Sequence, residues 1–128
     1  MRKKNAPWLG KAGENSTIWD SPSPKFIMGG SEEDKFDHPT QKPVDLMRRP
    51  ILNHLRRSEL VYDPFLGSGT TLAAAELTER ACYGLELDPK YVDVIVQRWQ
   101  QLAGKKATLD GDGRVFDDIT VERRKEAA

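Results

Sequence analysis

The chain has 128 residues, and its 20 lysines and arginines are balanced by 20 aspartates and glutamates. That length allows one domain with a modest core, and the charge balance gives no overall positive field of the kind typical of a nucleic-acid-binding domain. One cysteine excludes an internal disulfide, and with two distant histidines it forms no recognisable zinc site. No apolar run approaches the roughly 18 residues of a membrane span and no signal-peptide pattern is present, so we expect a soluble, cytoplasmic chain that binds no membrane.

Residues 1–37 are predicted to form an arm rather than a packed layer. They hold three basic residues near their start, two tryptophans and a cluster of proline, glycine and serine. Only Ser16–Trp19 has the composition of an edge strand, and Ser21–Pro24 would end it because proline donates no ladder hydrogen bond. Two interpretations are open: a basic aromatic arm that contacts DNA, or tryptophans that cover a sheet edge. Residues 29–35 are expected to form an acidic loop.

A helix is predicted over residues 43–56. Thr40 or Gln41 is expected at its cap and Pro43 in its first turn. Pro50 removes one helical hydrogen bond, so a kink or break is expected near it. The apolar positions that share one face are Val44, Met47, Ile51 and Leu55.

The stretch Asp63–Thr71 is predicted to connect a strand to a helix. Leu60–Tyr62 before it is rich in strand formers, and Leu72–Leu77 after it is rich in helix formers. In an open α/β sheet such a junction lies at the carboxyl edge of a strand, where ligands bind and where the helix start offers unpaired N–H groups. Gly67 and Gly69 can adopt positive φ and let a ligand approach the backbone.

The composition of this loop indicates which ligand it binds. Thr70 follows the second glycine where a P-loop has lysine, so binding of nucleoside triphosphates is not expected. Asp63 would repel phosphates and suits a cationic amine. Glu86, after the predicted second strand Ala81–Leu85, is placed to accept the hydroxyls of a ribose. A ligand with an ammonium end and a nucleoside end describes S-adenosylmethionine better than a dinucleotide. Three hydroxyls are available to cap the helix or to bind the ligand: Ser68, Thr70 and Thr71.

A third helix is predicted from Asp88, its N-cap, to about Leu102, with Pro89 in its first turn. Gly104 follows as its C-terminal stop. Ala107–Leu109 is predicted to form a short strand, and residues 117–128 a flexible or weakly helical tail. The positions expected to face the core from this helix are Tyr91, Val94, Ile95, Trp99 and Leu102.

Three motifs occur in a particular order: His38–Pro43 (HPTQKP), Asp63–Thr71 (DPFLGSGTT) and Gly84–Tyr91 (GLELDPKY). Their order and spacing resemble those of the circularly permuted β group of amino-methylating DNA methyltransferases, enzymes that methylate N6 of adenine or N4 of cytosine and act in restriction-modification. The resemblance implies an α/β fold over residues 38–116. This is a partial Rossmann-like, S-adenosylmethionine-dependent methyltransferase fold, three-layered and with an incomplete sheet.

The resemblance also implies how the cofactor is held. Asp63 would receive the methionine ammonium, and Glu86 would accept the ribose hydroxyls. Phe65 and Leu66 would line the channel near the sulfonium. Candidates for the methionine carboxylate are Lys42, Ser68 and Thr70. The full set of expected cofactor-binding residues is Thr40, Gln41, Lys42, Asp63, Pro64, Phe65, Leu66, Gly67, Ser68, Gly69, Thr70 and Glu86, with no catalytic and no metal-binding residue.

The family holds a flipped base with an Asp/Asn/Ser-Pro-Pro-aromatic tetrapeptide, and these 128 residues lack it. None of the eight prolines is adjacent to another, and Asp63–Phe65 belongs to the cofactor loop. Since that tetrapeptide precedes the cofactor half in the permuted order, we expect the carboxyl-terminal part of a longer DNA methyltransferase, inactive alone. Its expected partners are double-stranded DNA, a complementary catalytic half or subunit, or a second copy of the chain. Two alternatives stay open: a non-catalytic or regulatory S-adenosylmethionine-binding module, and a methyltransferase fragment that acts on RNA or a small molecule.

Overall fold

A computed structural model of the chain describes residues 7–11, 16–21 and 42–126. Within these ranges the chain forms two strands and four α-helices. The strands are β1 (Leu60–Asp63) and β2 (Ala81–Gly84), and the helices are α1 (Val44–His54), α2 (Thr70–Leu77), α3 (Pro89–Ala103) and α4 (Phe116–Glu126). The predicted acidic loop at 29–35 and the cofactor candidates Thr40 and Gln41 lie outside the described residues.

The two strands pair in parallel and are connected by α2. Leu60 lies opposite Ala81, and Asp63 lies opposite Gly84. Because both strands run in the same direction, their carboxyl ends meet at one edge of the sheet. The predicted strands at 60–62 and 81–85 are thereby confirmed. The strand predicted at Ala107–Leu109 is reduced to one antiparallel bridge, from Thr108 to Val115.

The core lies between the sheet, α1 and α2. Its centre consists of Ile51 from α1 and the two fully enclosed alanines of α2, Ala74 and Ala75. Side chains as small as alanine allow a helix to pack closely on its neighbours. The partly buried residues around this centre are Val44, Met47, Leu55, Val61 and Cys82. The predicted apolar face of the first helix is therefore confirmed.

Three helix predictions require correction. The first helix begins at Val44, immediately after Pro43, and ends at His54 rather than at residue 56; its cap candidates Thr40 and Gln41 lie outside the described residues. It continues through Pro50 to His54, so the predicted break does not occur. Proline removes one hydrogen bond, but Ile51, the next residue, is buried in the core and holds the last turn in place. Leu102, expected to face the core, is 39% exposed because it lies in the last turn of α3.

The predicted edge strand at Ser16–Trp19 is absent: none of these residues lies in a strand, and Thr17 and Ile18 form a bend. Ser16 explains the difference: its hydroxyl accepts a hydrogen bond from the Ile18 N–H (3.0 Å), and its carbonyl accepts one from Trp19 Nε1 (2.9 Å). Local bonds of this kind compete with a sheet ladder. The two tryptophans that precede α1 both contact this helix. Trp8 contacts the ring of His54, and Trp19 contacts the guanidinium of Arg49.

Residues 117–126, predicted to be flexible or weakly helical, form most of α4. Ile119 is buried, and the Asp117 carboxylate accepts hydrogen bonds from Gln100 of α3 and from Lys106. The sequence signal was weak because α4 is mostly charged and only one of its residues is buried. Within the described part of the chain, no helix combines the length and the apolar character that crossing a membrane requires.

Candidate functional site

The loop between β1 and α2 lies at the carboxyl edge of the parallel strand pair. Gly67 and Gly69 have φ angles of 56° and 77°, in the left-handed region that favours glycine, as predicted. The Leu66 N–H donates to the Leu85 carbonyl (2.9 Å), and the Leu85 N–H donates to the Asp63 carbonyl (3.0 Å). These bonds tie the glycine loop to the chain that follows β2. Residues from both strand ends therefore meet at this loop.

Asp63, the last residue of β1, spans the loop with its carboxylate. Oδ1 accepts a hydrogen bond from the Phe65 N–H (2.9 Å), and Oδ2 accepts one from the Thr71 hydroxyl (2.6 Å). The side chain is half-buried. Asp63 thus fixes both ends of the loop and places a negative charge at its mouth.

Glu86, two residues after β2, reaches the same loop from the other strand. Oε2 accepts from the Gly67 N–H (2.8 Å), and Oε1 accepts from the Asp88 N–H (3.0 Å). Asp88 in turn caps α3 by accepting from the Lys90 N–H (2.9 Å), which confirms the predicted N-cap. Glu86 therefore joins the glycine loop to the start of α3. The structure brings the two predicted carboxylates to one loop.

The predicted hydroxyl ligands lie inside the protein. Ser68 and Thr70 are buried, and their hydroxyl oxygens lie 3.3 Å apart. The Thr70 hydroxyl donates to the Lys42 carbonyl (3.1 Å), and the Thr71 hydroxyl donates to Asp63. The HPTQKP motif and the glycine loop are thus adjacent at Lys42, whose own side chain is exposed.

The predicted apolar residues of the loop have different environments. Phe65 is 86% exposed and Pro64 is also exposed, whereas Leu66 is partly buried. Leu66 covers Gly84 so closely that a β-carbon on Gly84 would lie 2.2–2.7 Å from three atoms of the leucine side chain. A larger residue at the end of β2 would therefore displace the Leu66 side chain, a constraint that the sequence did not indicate.

Two residues that sequence reasoning did not assign to the site hold the loop from α3. Arg98 is buried, and its Nη1 donates to the Ser68 carbonyl (3.0 Å) and to Thr70 Oγ1 (3.3 Å). Ile95 packs against Gly69, where an added β-carbon would lie 3.1 Å from two of the isoleucine carbons. The spacing i, i+3 from Ile95 to Arg98 was the available signal, because residues three apart share a helix face.

The pKa of Cys82 is affected by the charge of this region. Burial, and secondarily the Asp63 carboxylate, raise the pKa of the Cys82 thiol. A thiol with a raised pKa stays protonated near neutral pH and is a poor nucleophile. Cys82 is partly buried and packs against the core cluster.

Comparison with known proteins gives a consistent set of relatives. The family model of the DNA methylases matches residues 2–97. Type II methyltransferase M2.MboI of Moraxella bovis is 34% identical over 89 residues, which are 70% of this chain and 31% of that protein. DNA adenine methyltransferase YhdJ of Escherichia coli strain K12 is 37% identical over 81 residues, 63% of this chain and 26% of that protein. The chain therefore spans less than a third of the length of either relative.

A solved structure is also similar. It is the complex of M1.HpyAVI with S-adenosylmethionine, which matches with a TM-score of 0.54 and 33% identity. The match covers 74% of this chain and 45% of that one. The similarity supports the expected partial Rossmann-like α/β fold.

Proposed function

This chain belongs to the DNA methylase family, and from that membership we propose that it is the S-adenosylmethionine-binding part of an enzyme that methylates N6 of adenine or N4 of cytosine in DNA. Of the relatives named above, M2.MboI is a type II methyltransferase and YhdJ is a DNA adenine methyltransferase, and the solved M1.HpyAVI structure contains this cofactor. The cytoplasm, where DNA is accessible in a bacterium, is the proposed location.

One observation carries the proposal: carboxylates from the ends of two neighbouring parallel strands bind the same glycine loop. S-adenosylmethionine carries an ammonium at one end and ribose hydroxyls near the other. Asp63, half-buried at the loop mouth, would hold the ammonium. Glu86 would accept the ribose hydroxyls, since an ionised carboxylate has about four acceptor positions. The residues present therefore fit this cofactor.

The methionine carboxylate would be held by the Lys42 ammonium and by the N–H groups at the start of α2, which have no intrahelical acceptors. The hydroxyls of Ser68 and Thr70 are buried and bonded to protein atoms. We therefore give them the role of shaping the loop. Thr40 and Gln41 stay proposed contacts on the strength of the motif alone, and Phe65 and Leu66 stay the proposed channel lining near the sulfonium.

When bound, S-adenosylmethionine supplies a methyl group carried on a sulfonium. The residues of this chain bind and orient the donor. The base-holding Pro-Pro-aromatic tetrapeptide does not occur in the sequence. We therefore propose that acceptor binding depends on residues from another polypeptide segment, and that the 128 residues alone do not methylate DNA.

The open face of the sheet supports such a partner. Leu60, Tyr62 and Tyr83 project from it, and the two tyrosines are 62% and 66% exposed. Parallel sheets are normally covered on both faces. We propose that a complementary methyltransferase half covers this face, and that a second copy of the chain does so in its absence.

Neutralising either carboxylate tests the proposal. Asp63→Asn and Glu86→Gln keep the size of each side chain and remove its charge. Each should weaken S-adenosylmethionine binding about 10- to 100-fold, because a hydrogen bond to a charged group contributes about 1.5–3 kcal/mol. Isothermal titration calorimetry measures the affinities, and Asp93→Asn, at an exposed position of α3, is the matched control. Affinities equal to wild type in both variants would refute the proposed site.

A further inference from the structure

We propose that Arg98 is a positioning residue that sets the conformation of the glycine loop and, through Thr70, the position of the backbone at Lys42. The ligand-binding part of this inference rests on the proposed function. Arg98 lies in α3, and only 5% of its surface is exposed. Its Nη1 donates to the Ser68 carbonyl (3.0 Å) and to Thr70 Oγ1 (3.3 Å). The two acceptors flank the second glycine, Gly69: Ser68 precedes it, and Thr70 is the first residue of α2.

Thr70 extends this contact to a third segment of the chain. A hydroxyl has one proton to donate and two lone pairs that accept. The Thr70 proton goes to the Lys42 carbonyl (3.1 Å), so its lone pairs face Arg98 and the Ser68 hydroxyl (3.3 Å). One buried hydroxyl therefore joins α3, the glycine loop and the segment before α1. Removing the guanidinium would leave this junction without its only charged donor in the described structure.

The apolar neighbour of Arg98 on α3 makes the contact rigid. Ile95 is buried against Gly69, three residues before Arg98 on the same helix face. Ile95 sets how closely α3 approaches the loop, and Arg98 sets which way the Ser68 carbonyl points.

Besides Asp63, which bonds to Phe65 and Thr71, two further residues hold different parts of the loop. Glu86 holds the first glycine, Gly67, at the end proposed to bind the nucleoside. Arg98 holds Ser68 and Thr70, and through them Lys42, at the end proposed to bind the methionine carboxylate. Loss of Arg98 should therefore weaken binding of the methionine end of the ligand more than binding of its nucleoside end.

The experiment has a ligand-free part and a ligand-binding part, both on the complete chain. Hydrogen exchange of the loop amides is compared between wild type, Arg98→Met, Arg98→Lys and Arg123→Met, the last at an exposed arginine of α4. Calorimetry then measures binding of S-adenosylmethionine and of 5′-methylthioadenosine, which lacks the amino-acid end. If Arg98→Met fails to fold, Thr70→Val tests the same junction, since valine keeps the shape and removes the hydroxyl.

In Arg98→Met we expect the amides of residues 68–71 to exchange at least about tenfold faster, while the amide of Gly67, which is bonded to Glu86, and the amides of β1 and β2 keep their rates. Affinity for S-adenosylmethionine should fall at least about tenfold and that for 5′-methylthioadenosine less than about threefold. Arg98→Lys should recover part of both losses, and Arg123→Met should match wild type. Unchanged loop exchange, or equal losses for the two ligands, would overturn the role of Arg98. Failure of wild type to bind S-adenosylmethionine would instead refute the proposed function. The exchange data would still decide whether Arg98 sets the conformation of the glycine loop.

Discussion

Gly84 shows how a single residue can be fixed by its neighbour. Its φ is not in the left-handed region, so an ordinary residue is allowed by the backbone. The restriction comes from Leu66, whose side chain occupies the space of a β-carbon. Because Leu66 belongs to the glycine loop, we expect the effects of substitutions at Gly84 and at Leu66 to be coupled.

Gly84→Ala should destabilise the protein by about 1–3 kcal/mol, the usual cost of overpacking. Urea denaturation measures this change. In a Leu66→Ala background the clash is absent, so the cost of Gly84→Ala should fall by about 1 kcal/mol or more. If the two substitutions change the free energy of unfolding additively, Leu66 is not the obstacle.

The sequence was informative for residues whose role is local. Positive φ at Gly67 and Gly69, and the capping of α3 by Asp88, follow from neighbours along the chain. Arg98 and Gly84 depend on contacts with segments 18 to 30 residues away, which a single sequence does not specify. Asp63 and Glu86 were recognised because each directly follows or ends a strand, where parallel sheets collect their ligand-binding groups.

Among the elements, the sequence of α1 has a clear apolar pattern and that of α4 has almost none. The apolar spacing of α1 predicted its buried face correctly, and the Pro50 signal for a break was overridden by packing on α2. In α4 the charged sequence gave almost no apolar pattern, and the helix is anchored instead by polar contacts at its start.

The anchor of α4 should depend on pH. Hydrogen bonds from Lys106 first, and from Gln100 second, lower the pKa of Asp117. A folded pKa below the unfolded value means that ionised Asp117 stabilises this contact above the unfolded pKa, about 4, and that the contribution is lost as pH falls through the folded pKa. Amide chemical shifts of residues 116–119, followed from about pH 6 to about pH 2.5, should show this transition. Asp117→Asn should abolish this pH-dependent transition. If the variant keeps the same transition, another group causes it.

At the scale of the whole molecule, the sheet formed by the described residues has two parallel strands and one face with exposed side chains, which makes it an incomplete layer. The exposed tyrosines Tyr62 and Tyr83 lie opposite each other in the strand register. Both side chains are exposed and contribute apolar surface to the same face of the sheet. Covering this face would remove apolar surface from water, which favours association.

Sedimentation velocity should therefore show association of the isolated chain as its concentration rises from micromolar to near millimolar. Tyr62→Lys with Tyr83→Lys should shift the chain toward monomer, because two desolvated charges oppose burial of the face. Val121→Lys, at an exposed apolar position of α4, is the control and should associate as wild type does. A wild-type chain that stays monomeric throughout would contradict the proposed covering of the sheet.

The central claim is that two strand ends and the glycine loop between them hold the methyl donor. Titration of the isotope-labelled chain with S-adenosylmethionine, followed by amide NMR spectra, tests it most directly. The account predicts the largest shifts at residues 63–71 and at Glu86, with residues 116–126 of α4 nearly unchanged. Absence of shifts at saturating ligand, or shifts concentrated on α4, would contradict it.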